Sequence, residues 1–335
     1  MEKDKKEKFS YSKLDCYESC GWKYKLTYID KHQIYQKAIA TDFGTLVHST
    51  EEQIAKDIIA NDNEPVFLMN YNKYIDMFAE GVYKIKERYP NHFYEKDKNN
   101  LNYADKANAY IEKGVYRLRD YLSNNRNLRI KGIEQHFNLE YNNYIFTGFI
   151  DRVFEDINTG EILIEDIKTY SAPLTEDKLK TPLQFVIYTL AAKELYQTDN
   201  ISCAYEIILC DCKQKAGSKG YITRGIKKLN SLFTEIENQN YTPKPSPLCY
   251  WCPFSKTTPD QLEEAKNLCP YYCNWTKEDK KNFSVNYEWM GLENHSKILE
   301  EFIRQQDKKN SIKIEIKSNS SCIINNERHF IKRRI

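Results

Sequence analysis

The sequence predicts an α/β fold: a mixed central sheet flanked by helices, with a helical insertion ahead of the sheet and a cysteine-rich segment closing it. Three observations carry this. Residues 132–211 alternate short β-branched and aromatic runs with one long apolar stretch, in the order strand, strand, strand, helix, strand. Residues 65–129 place Tyr71, Tyr74, Ile75, Phe78, Val82 and Ile85 at helical spacing. Residues 242–254, TPKPSPLCYWCPF, set a C-x-x-C pair in a proline-rich stretch unsuited to regular structure.

Taken in order, residues 1–8 are a charged start, and Phe9 to Ile29 read as one helix entered through Ser10 or Ser12. Phe43 to Ala60 reads as a second helix, carrying His48. These helices form a first segment, 1–60. The insertion, 61–131, breaks at Tyr89-Pro90-Asn91, where the residue before proline is pushed out of the helical region. The core, 132–240, holds runs Tyr144 to Phe154 and Glu161 to Lys168 around the turn Asn158-Thr159-Gly160, an antiparallel hairpin. Pro182 to Tyr196 reads as an amphipathic helix packing on that sheet, and Ile222 to Asn238 as a closing helix. The cysteine region spans 241–280, and 281–335 contains two short alternating runs and a basic tail. No internal repeat is evident.

The chemistry concentrates in TGFIDRVFED, EILIEDIKTY and LQFVIY, between Thr147 and Tyr188. Side chains alternate along a strand, so Asp166 and Lys168 share a face while Ile167 points into the core, and Asp151 on the partner strand can face the same pair. Two carboxylates and the Ile167 carbonyl are hard oxygen donors suited to Mg²⁺ or Mn²⁺. Lys168 can orient an attacking water and offset developing negative charge. Asp166 follows the apolar run Ile162-Leu163-Ile164, where an unpartnered carboxylate is costly, and Gly148 leaves room for backbone or ligand. A surface charge pattern would not need that burial.

The chain has 50 basic and 48 acidic residues, a net charge of +2, so nucleic-acid contact must come from local patches such as Lys178/Lys180, Lys213 to Lys219, Lys227-Lys228 or the tail His329 to Arg334. It lacks an apolar run of about 18 residues or a signal peptide, which points to a cytoplasmic protein with no membrane partner. In that compartment clustered thiols are metal ligands sooner than disulfides. Cys249, Cys252, Cys269 and Cys273 fall within 25 residues, which suits a four-thiolate zinc site. Cys203, Cys210 and Cys212 read as core thiols.

The words FSYSKLDCYESCGWKYKL, FGTLVH, GFID, EDIKT, QFVIY and CYWC, in that order, resemble the RecB-like branch of the PD-(D/E)XK nucleases, which includes AddB-type and CRISPR-associated RecB-like exonucleases. The resemblance implies a restriction-endonuclease-like core and, at matching positions, His48, Asp151 and Asp166 as metal ligands, Lys168 as catalytic lysine, and Gln184 with Tyr188 as a helix pair at the active site or DNA. It also implies a [4Fe-4S] cluster on Cys20, Cys249, Cys252 and Cys269. Cys16 and Cys273 remain rivals for the first and last ligand, and zinc remains the alternative metal. Gly21 stands where the family usually has proline, and the last cysteine lies further from the C-x-x-C than usual. The expected function is a divalent-metal-dependent DNA exonuclease on single-stranded or end-containing DNA, in recombination, repair or phage DNA processing in a bacterial or phage-infected host cytosol. A helicase or recombinase is a candidate partner for residues 281–335. The alternative is a catalytically idle DNA-end-binding subunit.

Overall fold

Ser10 opens the first helix as expected, its hydroxyl accepting from the Lys13 amide in a computed structural model that describes residues 6–32, 34, 38–61, 70–254, 268–270 and 304. The chain divides into two compact units, Met1–Lys31 with Lys37–Pro243, and His32–Gln36 with Lys244–Ile335. Cys273 and all of 281–335 except Arg304 lie outside the described residues.

In the first unit, strand β1 (Glu7–Phe9) precedes helices α1 (Tyr11–Ser19) and α2 (Gly21–Tyr24), the latter running into a π turn at Lys25–Ile29. The single helix expected from Phe9 to Ile29 is therefore interrupted. Cys20 adopts extended backbone, and its sulfur accepts from the Lys23 amide at 3.5 Å, so a thiol caps the second helix where the first one ends. Helix α3 (Ile39–Ala60) carries His48. The insertion contributes α4 (Asn72–Arg88), α5 (Tyr103–Glu112) and α6 (Arg117–Asn124), with the break at Tyr89 where the sequence placed it.

Strands β2 (Leu128–Tyr141), β3 (Tyr144–Asp156), β4 (Ile162–Lys168), β5 (Ile201–Ile207) and β6 (Cys212–Lys215) complete a mixed six-stranded sheet with β1. The short α7 (Glu176–Lys180) and the long α8 (Leu183–Tyr196) connect β4 to β5, which run parallel. Helix α9 (Tyr221–Glu237) closes the unit. Strand β2 takes one edge of β3 along its whole length. The other edge is shared: β1 pairs with Tyr144 to Phe146 and β4 with Arg152 to Glu155, leaving Thr147 to Asp151 unpaired on that side.

The sheet separates two cores. One face packs Leu14, Tyr17 and Phe233 with residues of α8, and the other packs α3 to α6 around Phe43, Ile54, Phe78 and Tyr110. Ile167 sits in the second core, as alternation along the strand requires. Helix α8 is not amphipathic in practice: Phe185, Val186, Ile187, Tyr188, Thr189, Ala191 and Ala192 are all buried, because α9 covers the side that the sequence reading left to solvent. Gly225 of α9 makes that approach possible, since a Cβ there would meet Val186 at 2.3 Å.

In the second unit, Cys249 lies within a 3-10 turn, Pro247–Trp251, and Cys252 caps its end. The Ser246 amide donates to the Cys249 sulfur at 3.4 Å and the Cys252 amide to the Cys249 carbonyl at 3.1 Å.

Candidate active site

The site forms where β3 and β4 part. The last pair of the ladder is Arg152 opposite Glu165. Continued by one residue, the register would set Asp151 opposite Asp166, two like charges facing at close range, which disfavours pairing. Instead the Asp151 carboxylate turns to the freed backbone and accepts from the Ile167 amide at 2.7 Å. The Ile167 amide thus orients Asp151.

His48 Nδ1 stands 3.6 Å from Asp151 Oδ2. Burial lowers the His48 pKa, which leaves a neutral imidazole able to donate a lone pair. Glu134 of β2 completes a cluster the sequence reading missed: ligand atoms of His48, Glu134 and Asp151 lie within 4.8 Å of one another. Its backbone has φ +41°, in the left-handed region that a glutamate rarely occupies, and it falls at the register position opposite Asp151. A signal was present. The pair Tyr141 and Tyr144 closes a two-residue turn, and counting back from it sets Glu134 against Asp151.

Asp166 belongs to a second group. Its Oδ1 accepts from Gln184 Nε2 at 2.8 Å, and that same nitrogen lies 2.9 Å from the Tyr188 hydroxyl. The i, i+4 pair on α8 therefore locks Asp166 from above. Asp166 Oδ2 is buried without a well-aligned hydrogen bond, and the Lys168 ammonium stands 2.5 Å away. Burial raises the pKa of both Asp151 and Asp166 to about 6 despite Lys168. Two carboxyls pushed up by desolvation and a neutral imidazole suit a hard divalent cation, and adding Glu134 gives the donor set nitrogen and oxygen in the mixture that such a cation accepts. The residues present fit a metal.

Three sequence expectations change. Gly148 opens no space for ligand; the Phe137 ring lies 3.1 Å from where its Cβ would be, so the glycine serves packing. Lys213 is no surface cation for DNA. It pairs with Glu165 and lies over the Tyr121 ring beneath the sheet, in a buried network where Arg152 joins Glu51 at 2.8 Å and Glu165 at 2.9 Å. Lys180 and Lys228 are likewise paired, with Asp177 and Glu18. Of the three remaining cysteines read as core thiols, Cys203 is buried, while Cys210 and Cys212 are half-buried with sulfurs 2.9 Å apart.

Among the described residues no helix is long and apolar enough to cross a membrane. The PD-(D/E)XK nuclease superfamily, as a family model, matches residues 8–257. No curated protein matches the chain. Among solved structures, a candidate exonuclease from Eubacterium rectale is similar over 76% of this chain and 90% of its own, at 11% identity and TM-score 0.40. The protein SSO0001 is similar over 72% and 95%, at 16% identity and TM-score 0.27. Neither likeness bears on the chemistry.

Proposed function

The chain belongs to the PD-(D/E)XK nuclease superfamily, and from that premise we propose that it is a divalent-metal-dependent DNA exonuclease of the RecB-like branch, acting on single-stranded or end-containing DNA. Membership implies phosphodiester hydrolysis, DNA as substrate and a divalent metal. The observation that carries the reading to these residues is the pair Asp151 and Asp166, brought together just beyond the last pair of the β3–β4 ladder and both buried, with His48 and Glu134 beside Asp151.

Asp151, His48 and Glu134 would hold the metal, Mg²⁺ or Mn²⁺, with Asp166 as the adjoining carboxylate. The bound ion supplies Lewis acidity at a phosphate oxygen and lowers the pKa of water. The remaining roles fall to side chains. Asp166 raises the Lys168 pKa and keeps it an ammonium, against the opposing effect of burial. That ammonium can hydrogen-bond the attacking water and balance charge growing on the phosphate. Gln184 holds Asp166 in the orientation that meets Lys168 on one oxygen and leaves its geometry independent of substrate. Arg152 and Glu165, the neighbours of the two aspartates in sequence, grip one another on the opposite face and fix both strands.

The [4Fe-4S] reading places Cys20, Cys249, Cys252 and Cys269 around one cluster, with zinc the alternative. It is supported by backbone amides donating to the sulfurs of Cys20 and Cys249, the kind of contact that stabilises bound thiolate. Anaerobically purified protein should be brown with broad visible absorbance; a colourless protein carrying zinc would replace the cluster with the zinc site.

End-labelled linear DNA and closed circles, single-stranded and duplex, test the exonuclease reading with Mg²⁺ or Mn²⁺. Loss of linear DNA alone is expected. Cleaved circles would make the enzyme an endonuclease, and binding of ends without cleavage would leave an end-binding subunit.

A further inference from the structure

Two cavities meet at the loop that follows β4. One, about 640 Å³, contains Lys168 and Gln184, the two side chains that contact Asp166. The other, about 600 Å³, lies between that loop and the insertion, and is lined by Thr41, Lys98, Asn99 and Tyr103. Tyr170, Leu174 and Lys178 line both and form the wall between them. Neither lining includes His48, Glu134, Asp151 or Asp166, and the second cavity adjoins Lys168 through Thr169, the next residue of the chain.

We propose that this second cavity is a subsite for single-stranded DNA, in which Tyr170 stacks on a base next to the scissile phosphate and Lys98 and Lys178 hold backbone phosphates. The inference rests on the nuclease reading and adds to it the strand form and the residues that select it.

Charge and exposure support the roles. Tyr170 is 46% exposed although it sits at the mouth of a buried site. Lys98 and Lys178 are exposed and, among the described residues, have no ion pair, while their neighbours Lys106 and Lys180 are spent on Asp97 and Asp177. Asp97 also faces the cavity, but its charge is answered by Lys106 at 2.9 Å, the Ser171 hydroxyl at 2.9 Å and the amides of Asn99 and Leu101. Those contacts do more than neutralise it. They fold the 97–101 loop into a fixed turn presenting Lys98, and the Ser171 bond ties that turn to the loop bearing Tyr170. Gln214 holds the far end of the second loop through both backbone groups of Leu174, at 2.7 and 3.1 Å. An aromatic face and two unpaired cations held across one cavity are the elements of single-strand recognition. A space of this volume accepts a small-molecule-sized unit such as a nucleotide and excludes a duplex.

The test is fluorescence anisotropy of a short labelled oligothymidine with the full chain in chelator, so that no cleavage intrudes, across a range of salt. Tyr170→Ala should weaken binding by about fivefold or more, and Tyr170→Phe should bind as wild type. Lys98→Gln with Lys178→Gln should lower the slope of log affinity against log salt by about 1.4, while Tyr170→Ala leaves the slope alone. Binding of a blunt duplex should be indifferent to Tyr170. Wild-type affinity in Tyr170→Ala, an unchanged slope in the lysine pair, or an equal loss on duplex would each overturn the subsite. A wild-type protein that binds through Tyr170 but cuts nothing would instead count against the nuclease reading alone.

Discussion

Replacing Arg152 with methionine should destabilise the protein by about 3–5 kcal/mol, the cost of stripping one partner from a buried ion pair. Its side chain is 4% exposed and lies between Glu51 at 2.8 Å and Glu165 at 2.9 Å. Glu165 keeps Lys213 after the change. Glu51 keeps only the Tyr110 hydroxyl, at 2.7 Å, and must stay charged in an apolar core or take up a proton. Methionine fills much of the arginine volume, so little of the loss comes from a cavity. With an m-value of about 3 kcal/mol/M in urea, the unfolding midpoint should fall by roughly 1 M or more. The double variant Arg152→Met with Glu51→Gln should recover about 1–2 kcal/mol of that loss, because the orphaned charge goes too. A single variant within about 0.5 kcal/mol of wild type would refute the claim that this network holds the two strands.

Three further outcomes follow from the same contacts. Glu134→Gln should weaken Mn²⁺ binding, measured calorimetrically, by about tenfold or more while leaving the melting temperature of the metal-free protein nearly unchanged; unaltered affinity would remove Glu134 from the site. Gly225→Ala should lower the melting temperature by several degrees, since its Cβ would lie 2.3 Å from Val186 and overpacking costs about 1–3 kcal/mol; a rise, from the better helix former, would mean α8 and α9 can part freely. Although burial opposes it, Lys106 and the loop amides hold the Asp97 carboxyl down at about 2, below its unfolded value of about 3.9. Its contribution is therefore full above about pH 4 and lost as pH falls toward 2, so the stability gap between wild type and Asp97→Asn should shrink over that window; a gap constant with pH would contradict it.

How much was legible in the sequence depended on whether the signal was local. Asp151, Asp166, Lys168, Gln184 and Tyr188 could be placed on strands and a helix because alternation and i, i+4 spacing are local rules. Glu134 was not, because alternation alone puts it on the polar face of a long strand; only its register with β3 reveals it. Lys213 looked like a DNA-facing cation until three acidic and aromatic residues from elsewhere in the chain enclosed it. The break at Cys20 was invisible for a similar reason. Nothing in ordinary propensity predicts a cysteine as a helix cap. Helix α8 read as amphipathic because its own sequence does not show that α9 covers its outer side.

The most direct test is hydrolysis of a labelled single-stranded oligonucleotide by wild type, Asp166→Asn and Lys168→Met, with Mn²⁺ binding measured on the same preparations. The account predicts metal-dependent cleavage by wild type, and loss of cleavage by about a hundredfold or more in both variants. Lys168→Met should still bind metal, since its ammonium is no ligand. Cleavage at the wild-type rate in either variant would contradict it.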